Sequence, residues 1–290
     1  MSVVERTGGV RGVLDGAAVH LGAMLRRRAT WWACGAWVVA GPFFGLVVLY
    51  LVVSLGGIPE PAASQVLAGL LPPALPGTVA SGYVPYAAPY LLVLGAVLVG
   101  NEYRWGTVAV LLVQRPGRAR LVLAQALALV VVVGAAVLAE YAVAAGVSAT
   151  IAALEGAGAT GPPGGALLAS LAACWLAGSV FALVGVLLAH ALRSPAGAIG
   201  VGLVWVLVVE TAVRGLLAVL PGVGWVQDLL LGPAVGTLAV ALGAPAVDAS
   251  FGVGPGGDPV AAVAVLLGWA VLAVGLSALL VRRRDVPARG

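Results

Sequence analysis

Polar side chains are scarce in this sequence, so each one that interrupts an apolar run is a candidate for chemistry. The densest group lies between Gly100 and Leu127, in GNEYRWGTVAVLLVQRPGRARLVLAQAL, where Glu102, Arg104, Arg115, Arg118 and Arg120 fall between two long hydrophobic runs. Between the acidic head and the basic tail lies a short amphipathic piece, Trp105 to Val113. Pro116-Gly117 stops it, because proline cannot continue a helix and glycine turns freely. The pattern predicts a short surface helix at about 102–113, with arginines anchoring the span that follows. Trp105, Val108, Leu111 and Leu112 would form its apolar ridge, and Glu102 and Arg104 would offer polar contacts. A helix fixed rigidly to two spans converts a push from a cytoplasmic partner into span movement; one that only rests on lipid has the same pattern.

Three charges fall inside apolar runs: Glu140, Glu210 and Arg214. At ~1.5 Å per residue, Glu140 lies roughly 28 Å beyond Leu121, which predicts an outer-interface carboxylate, solvated or capped. Glu210 lies roughly 21 Å beyond Ala196. Arg214 follows it four residues later, on the same helix face and in the favoured order. The two are either a functional intramembrane pair or a structural salt bridge. His20 and His190 stand alone in sequence, and Cys34 and Cys174 sit in apolar runs as packing residues. The sequence holds no HExxH, CxxC, GxSxG or SxxK, and GPGGD at 254–258 falls short of a GxGD pattern. Lysine is absent, so all 15 basic residues are arginine. That excludes a Walker A lysine, a Schiff-base lysine and a Ser-Lys dyad in this chain. The chain is therefore expected not to be an enzyme by itself, with any ATP hydrolysis carried out by another polypeptide.

The elements that must position these residues are membrane spans. The chain is 62% hydrophobic and 9% charged, with mean hydropathy +1.11, against about 25% charge in soluble domains. Residues 1–28 read as a cytoplasmic amphipathic segment rather than a cleavable signal, since the apolar run comes late and is too long. Arg26-Arg27-Arg28 beside Trp31-Trp32 forms an inner-interface anchor. Spans are expected at about 30–55, 83–100, 121–147, 165–188, 196–213 and 259–281. Pro42 should kink the first. Gly41 with Gly45, and Ala198 with Gly202, have the spacing of close-packing faces. Residues 56–82 and 150–164 are loop-like and lack bases, an exterior composition. The region 216–258 is broken by Pro221, Pro233, Pro245 and Pro255. If the arginine triplets at 26–28 and 282–284 share a side, the number of spans is even, so this region holds short outer re-entrant or interfacial helices. Arg214 is then the one arginine outside. The expected fold is an all-α polytopic membrane protein: six transmembrane helices, an N-terminal interfacial helix, a cytoplasmic coupling helix and short outer re-entrant helices before the last span.

The opening stretch resembles the first cytoplasmic loop of ABC transporter permease subunits of the type-2 exporter class. That pattern runs roughly Glu-x-Arg-x-Gly-Thr, apolar residues, Pro-x-x-Arg, then an apolar run opening on Ala-Lys. Here it reads Glu102-Tyr103-Arg104-Trp105-Gly106-Thr107, Leu111-Leu112, Arg115-Pro116-Gly117-Arg118 and Ala124-Gln125, with Gln125 where the usual lysine stands. The six-span layout and the LRRRATWW run extend the likeness. The resemblance implies an ATPase-coupling role for these residues and two ABC ATPase subunits as partners. ATP and Mg would sit on those subunits, with no cofactor in this chain. It further implies a second permease copy or a paralogue, with Gly41, Gly45, Ala198 and Gly202 at the dimer interface. Membrane lipid but no nucleic acid would be a partner. The location would be the bacterial cytoplasmic (inner) membrane, multi-pass, with both termini cytoplasmic. The cargo class would be a hydrophobic or amphipathic drug, lipid or peptide. Two readings of other classes stay open: a proton-coupled secondary transporter using Glu140, Glu210 and Arg214, and a non-transporting membrane immunity or assembly factor.

Overall fold

A computed structural model describes residues 3–106, 117–158, 160–219, 224–244 and 257–283. Every regular element among them is helical. An amphipathic helix α1 (Val3–Arg26) is followed by the first span, α2 (Arg28–Ser54). Two short helices, α3 (Ala62–Leu70) and α4 (Leu75–Ser81), lead to the second span, α5 (Tyr83–Arg104). The third and fourth spans are α6 (Arg118–Leu154) and α7 (Gly164–Leu192). The fifth is α8 (Pro195–Leu217). A short apolar helix α9 (Leu231–Ala241) precedes the last span, α10 (Pro259–Arg283). Six helices are thus long and apolar enough to cross a membrane. At ~1.5 Å per residue, α9 reaches only about 16 Å, half of a ~30 Å hydrocarbon core. The chain is an all-α polytopic membrane protein.

Several expected boundaries move. Residues 56–82 form helices α3 and α4 rather than loop, because their prolines sit at helix starts, where no backbone donor is needed. Helix α6 has 37 residues, roughly 55 Å, so it overshoots the expected 121–147, and α1 packs along it. Three spans carry a π turn: Phe43–Val48 in α2, Tyr83–Ala87 in α5 and Trp205–Val209 in α8. Pro42 precedes the first and Pro85 lies within the second, loosening the hydrogen-bond ladder. The expected kink at Pro42 takes this form.

Helices α5 and α7 form the centre of the bundle, with α6 against α7, α2 and α8 against α5, and α10 against α7. Glycine makes the central contact possible. A Cβ at Gly95 would collide with the backbone of Ala182, and one at Gly185 with the backbone of Leu92. The small residues at positions of close-packing spacing also make contacts inside the protomer. Ala198 is fully buried, and a Cβ at Gly202 would strike Leu92 and Leu188. Gly41 faces Glu140, and Gly45 faces Tyr86. Small residues are needed wherever two backbones or a polar side chain must be admitted, and here both needs are internal. What α2 presents outward is Trp31, Trp32, Val39, Phe43 and Phe44.

Arg26–Arg28, Arg104, Arg120, Arg193 and Arg282–Arg283 stand at the helix ends that an alternating path through six spans puts on one side, with Arg214 towards the other. Contacts join elements at each end. Arg27 lies over Trp105 and donates to the Leu98 carbonyl at 3.4 Å. At the opposite end Tyr50 donates to Glu155 at 2.8 Å. Arg193 ends α7 in the left-handed region, φ 52°. Ser194 then caps α8 by accepting from the Gly197 N–H, with Pro195 in the first turn. This is the tight turn expected between the fourth and fifth spans.

Candidate functional site

At the arginine-rich end, four helices converge on a buried polar chain. Glu102 and Tyr103 come from the last turn of α5, Gln125 from the second turn of α6, His190 from the last turn of α7 and His20 from α1. Glu102 is 3% exposed, Gln125 0% and His190 1%. Gln125 Nε2 donates to Glu102 Oε2 at 2.6 Å, and His20 Nδ1 lies 3.3 Å from Glu102 Oε1. His190 Nε2 lies 3.3 Å from Gln125 Oε1, and the Tyr103 hydroxyl lies 3.0 Å from His190 Nδ1. The amide oxygen only accepts, so Nε2 of His190 carries a proton, and Nδ1 pairs with the Tyr103 hydroxyl, which can serve either tautomer. The chain of bonds closes on a neutral imidazole. A buried, satisfied network of this kind rigidifies the elements it joins.

Glu102 is therefore not a surface contact. It is the anchor that ties the last turn of α5 to α1 and α6. The two histidines, isolated in sequence, meet in this one cluster, and Gln125 bridges Glu102 to His190. Sequence spacing could not reveal this, since His20, Glu102, Gln125 and His190 come from four helices. The one available signal was the placement of each near an arginine-bearing helix end.

Beyond the clamp, Arg104 and Trp105 are exposed, and Gly106 turns the chain with φ +72°. The last turn of α5 and this turn occupy the first residues expected of the coupling helix. Thr107, Leu111, Leu112, Arg115 and Pro116 lie outside the described residues, as do Val108 and the rest of the amphipathic ridge. Arg118 opens α6.

No protein-family model matches this chain, and no curated protein matches it.

Two more carboxylates lie deeper. Glu140 is 4% exposed, and its Oε1 accepts from Trp37 Nε1 at 3.1 Å. Trp37 packs edge-on against Tyr83, the first residue of α5, so Glu140 is buried in the bundle level with the end of α5 opposite Arg104. Nearby, Tyr141 bonds to Ser170, Ser170 donates to the Pro76 carbonyl at 2.8 Å, and Cys174 Sγ lies 3.5 Å from the Tyr141 oxygen. Cys174 is a buried packing residue beside this network.

Glu210, 3% exposed, accepts from the Gly232 N–H in the first turn of α9, where helix N–H groups lack intrahelical partners and favour an anion. Arg214 shares with it a cavity of about 30 Å³ lined also by Val84, Pro85, Val206 and Thr211. The acid–base spacing thus does more than pair two charges along one helix: Glu210 holds the short helix α9 against α8. Among the described residues no group of three or more His, Cys, Asp or Glu side chains could hold a metal ion.

Proposed function

We propose that this chain is the membrane-spanning permease subunit of an ATP-driven exporter of the ABC type-2 class, working with separate ATPase subunits and a second permease copy or paralogue. The observation that carries this reading is the clamp at the base of the 102–118 motif. A load applied beyond Trp105 would pass through Glu102 and Tyr103 into α1, α6 and α7 together. Rigid attachment is what a coupling segment needs, and a helix that only rested on lipid would not need it. The absence of lysine supports placing ATP and Mg on the partner. The arginine asymmetry supports cytoplasmic placement of that end in a bacterial inner membrane. An apolar groove of about 390 Å³ between α2 and α5, lined by Arg27, Trp32, Tyr90 and Leu94 among others, suits a hydrophobic or amphipathic cargo.

The test is purification of the tagged chain from its native host in mild detergent, with Trp105→Ala and Leu111→Arg variants beside wild type. Wild type is expected to retain an ATPase subunit, and the variants to lose it while staying monodisperse. Wild type that purifies without any ATPase overturns the reading. That outcome would favour a proton-coupled carrier, the second reading, which the burial of Glu140 and Glu210 supports.

A further inference from the structure

Glu140 has an asymmetric environment. Its Oε1 is held by Trp37 Nε1, while among the described residues its Oε2 makes no hydrogen bond of ordinary geometry, the Tyr83 hydroxyl being the donor close to the carboxyl. The carboxyl lines a cavity of about 20 Å³ together with Gly41, Gly45, Thr78, Gly82 and Ala144. The packing is built around it: a Cβ at Gly41 would stand 2.7 Å from Oε1. The titratable groups on the neighbouring elements are Tyr83 of α5, whose ring packs edge-on against Trp37 and whose hydroxyl lies by the Glu140 carboxyl, and Tyr141 of α6 with Cys174 of α7. None carries a charge near neutrality, so no counter-ion compensates the carboxyl.

We propose that Glu140 is a proton-binding site in the interior of the bundle, with the bound proton on Oε2 facing the small cavity. A buried carboxylate with one uncompensated oxygen is costly, and the neutral acid is the form this packing tolerates. A cavity needs roughly 10–15 Å³ to take one water, so a single water fits as the proton's acceptor and route of exchange. A metal cation does not suit the site. Hard cations take several oxygen ligands, and Glu140 and Thr78 are the two oxygen-bearing side chains that line this cavity. The proposal concerns proton uptake and release alone, and it stands whether ATP or an ion gradient drives transport.

Infrared spectroscopy of the full chain in lipid nanodiscs, taken as a pH series, tests it. Wild type is expected to show a protonated carboxylic-acid absorption at neutral pH that Glu140→Gln abolishes. The same signal should give way to carboxylate absorption as the pH rises. Trp37→Phe removes a donor that favours the charged form, so it should move the midpoint upward. It also serves as the check if Glu140→Gln fails to fold. Exchanging choline chloride for sodium chloride at fixed pH should change nothing. The proposal is overturned if the Glu140-dependent signal is already carboxylate at neutral pH. It also falls if the acid signal persists until the protein unfolds, or if sodium displaces the proton.

Discussion

At the residue scale, Gln125 is the most consequential side chain that sequence comparison by eye would pass over. It stands where the resembled family has lysine, and in this protein it is fully buried between Glu102 and His190. An amide both donates to the carboxylate and accepts from the imidazole; an ammonium only donates. Gln125→Leu would take one donor from the buried carboxylate and the acceptor from the ring nitrogen, at about 1–3 kcal/mol for such a loss. The expected outcome is a lower unfolding midpoint in detergent, with Gln125→Asn recovering little because its shorter arm cannot reach both neighbours. An unchanged midpoint for Gln125→Leu would refute the clamp. The candidate site was half legible in the sequence. Glu102, Arg104 and Trp105 stood out by charge and aromatic contrast, but the partners of Glu102 are set by tertiary packing. No periodicity announces that His20 and Gln125 approach the same carboxylate from two helices.

At the element scale, helix contacts in lipid depend on how closely backbones approach. Gly95 and Gly185 set that distance for α5 and α7, each lying against the backbone of the other helix. Gly185→Ala is therefore expected to abolish monodisperse folding. Gly200→Ala, at a position with nothing within 4 Å, should be silent. Size-exclusion profiles in detergent decide the matter, and equal behaviour of the two variants would refute the account. The sequence carried the spans well, since twenty-residue apolar runs have one reading. It did not say which of 42 glycines are structural, because glycine identity is the same whether a neighbour is near or absent. Spacing alone thus did not show that Gly41 meets Glu140, Gly45 meets Tyr86 and Gly202 meets Leu92 and Leu188. The short helices α3 and α4 were hidden for a related reason: their prolines read as breaks, yet proline in a first turn starts a helix.

At the scale of the whole molecule, the arginines give the bundle a polarity that membrane insertion can read. Single cysteines in a background lacking Cys34 and Cys174 test it with a membrane-impermeant thiol reagent on intact cells and inverted vesicles. Cysteines replacing Arg193 and Arg283 should label only from the cytoplasmic side, and those replacing Glu60 and Glu155 only from the other. Labelling of Arg193→Cys and Glu155→Cys from one side would break the six-span topology, since α7 lies between them. The even number of crossings was legible from the two arginine triplets, because charge counts survive ignorance of tertiary structure. The burial of Glu140 was not, because its partners Trp37 and Tyr83 come from two other helices.

The π turns in α2, α5 and α8 have a consequence for how these helices tolerate change in length. A π turn closes its hydrogen bond one residue later than an α turn, so each of these spans stores one spare residue. Elsewhere in a helix, removing a residue rotates all that follows by about 100° and turns packed faces towards lipid. Within a π turn the deletion is absorbed, because the bulge relaxes to α-helix and the flanking faces keep their bearing. Deleting Leu207 should therefore leave Glu210 able to reach Gly232 and give a monodisperse protein, whereas deleting Val184 in α7 should not. These spans hold slack, and a helix with slack can shorten or lengthen by one residue without losing its neighbours.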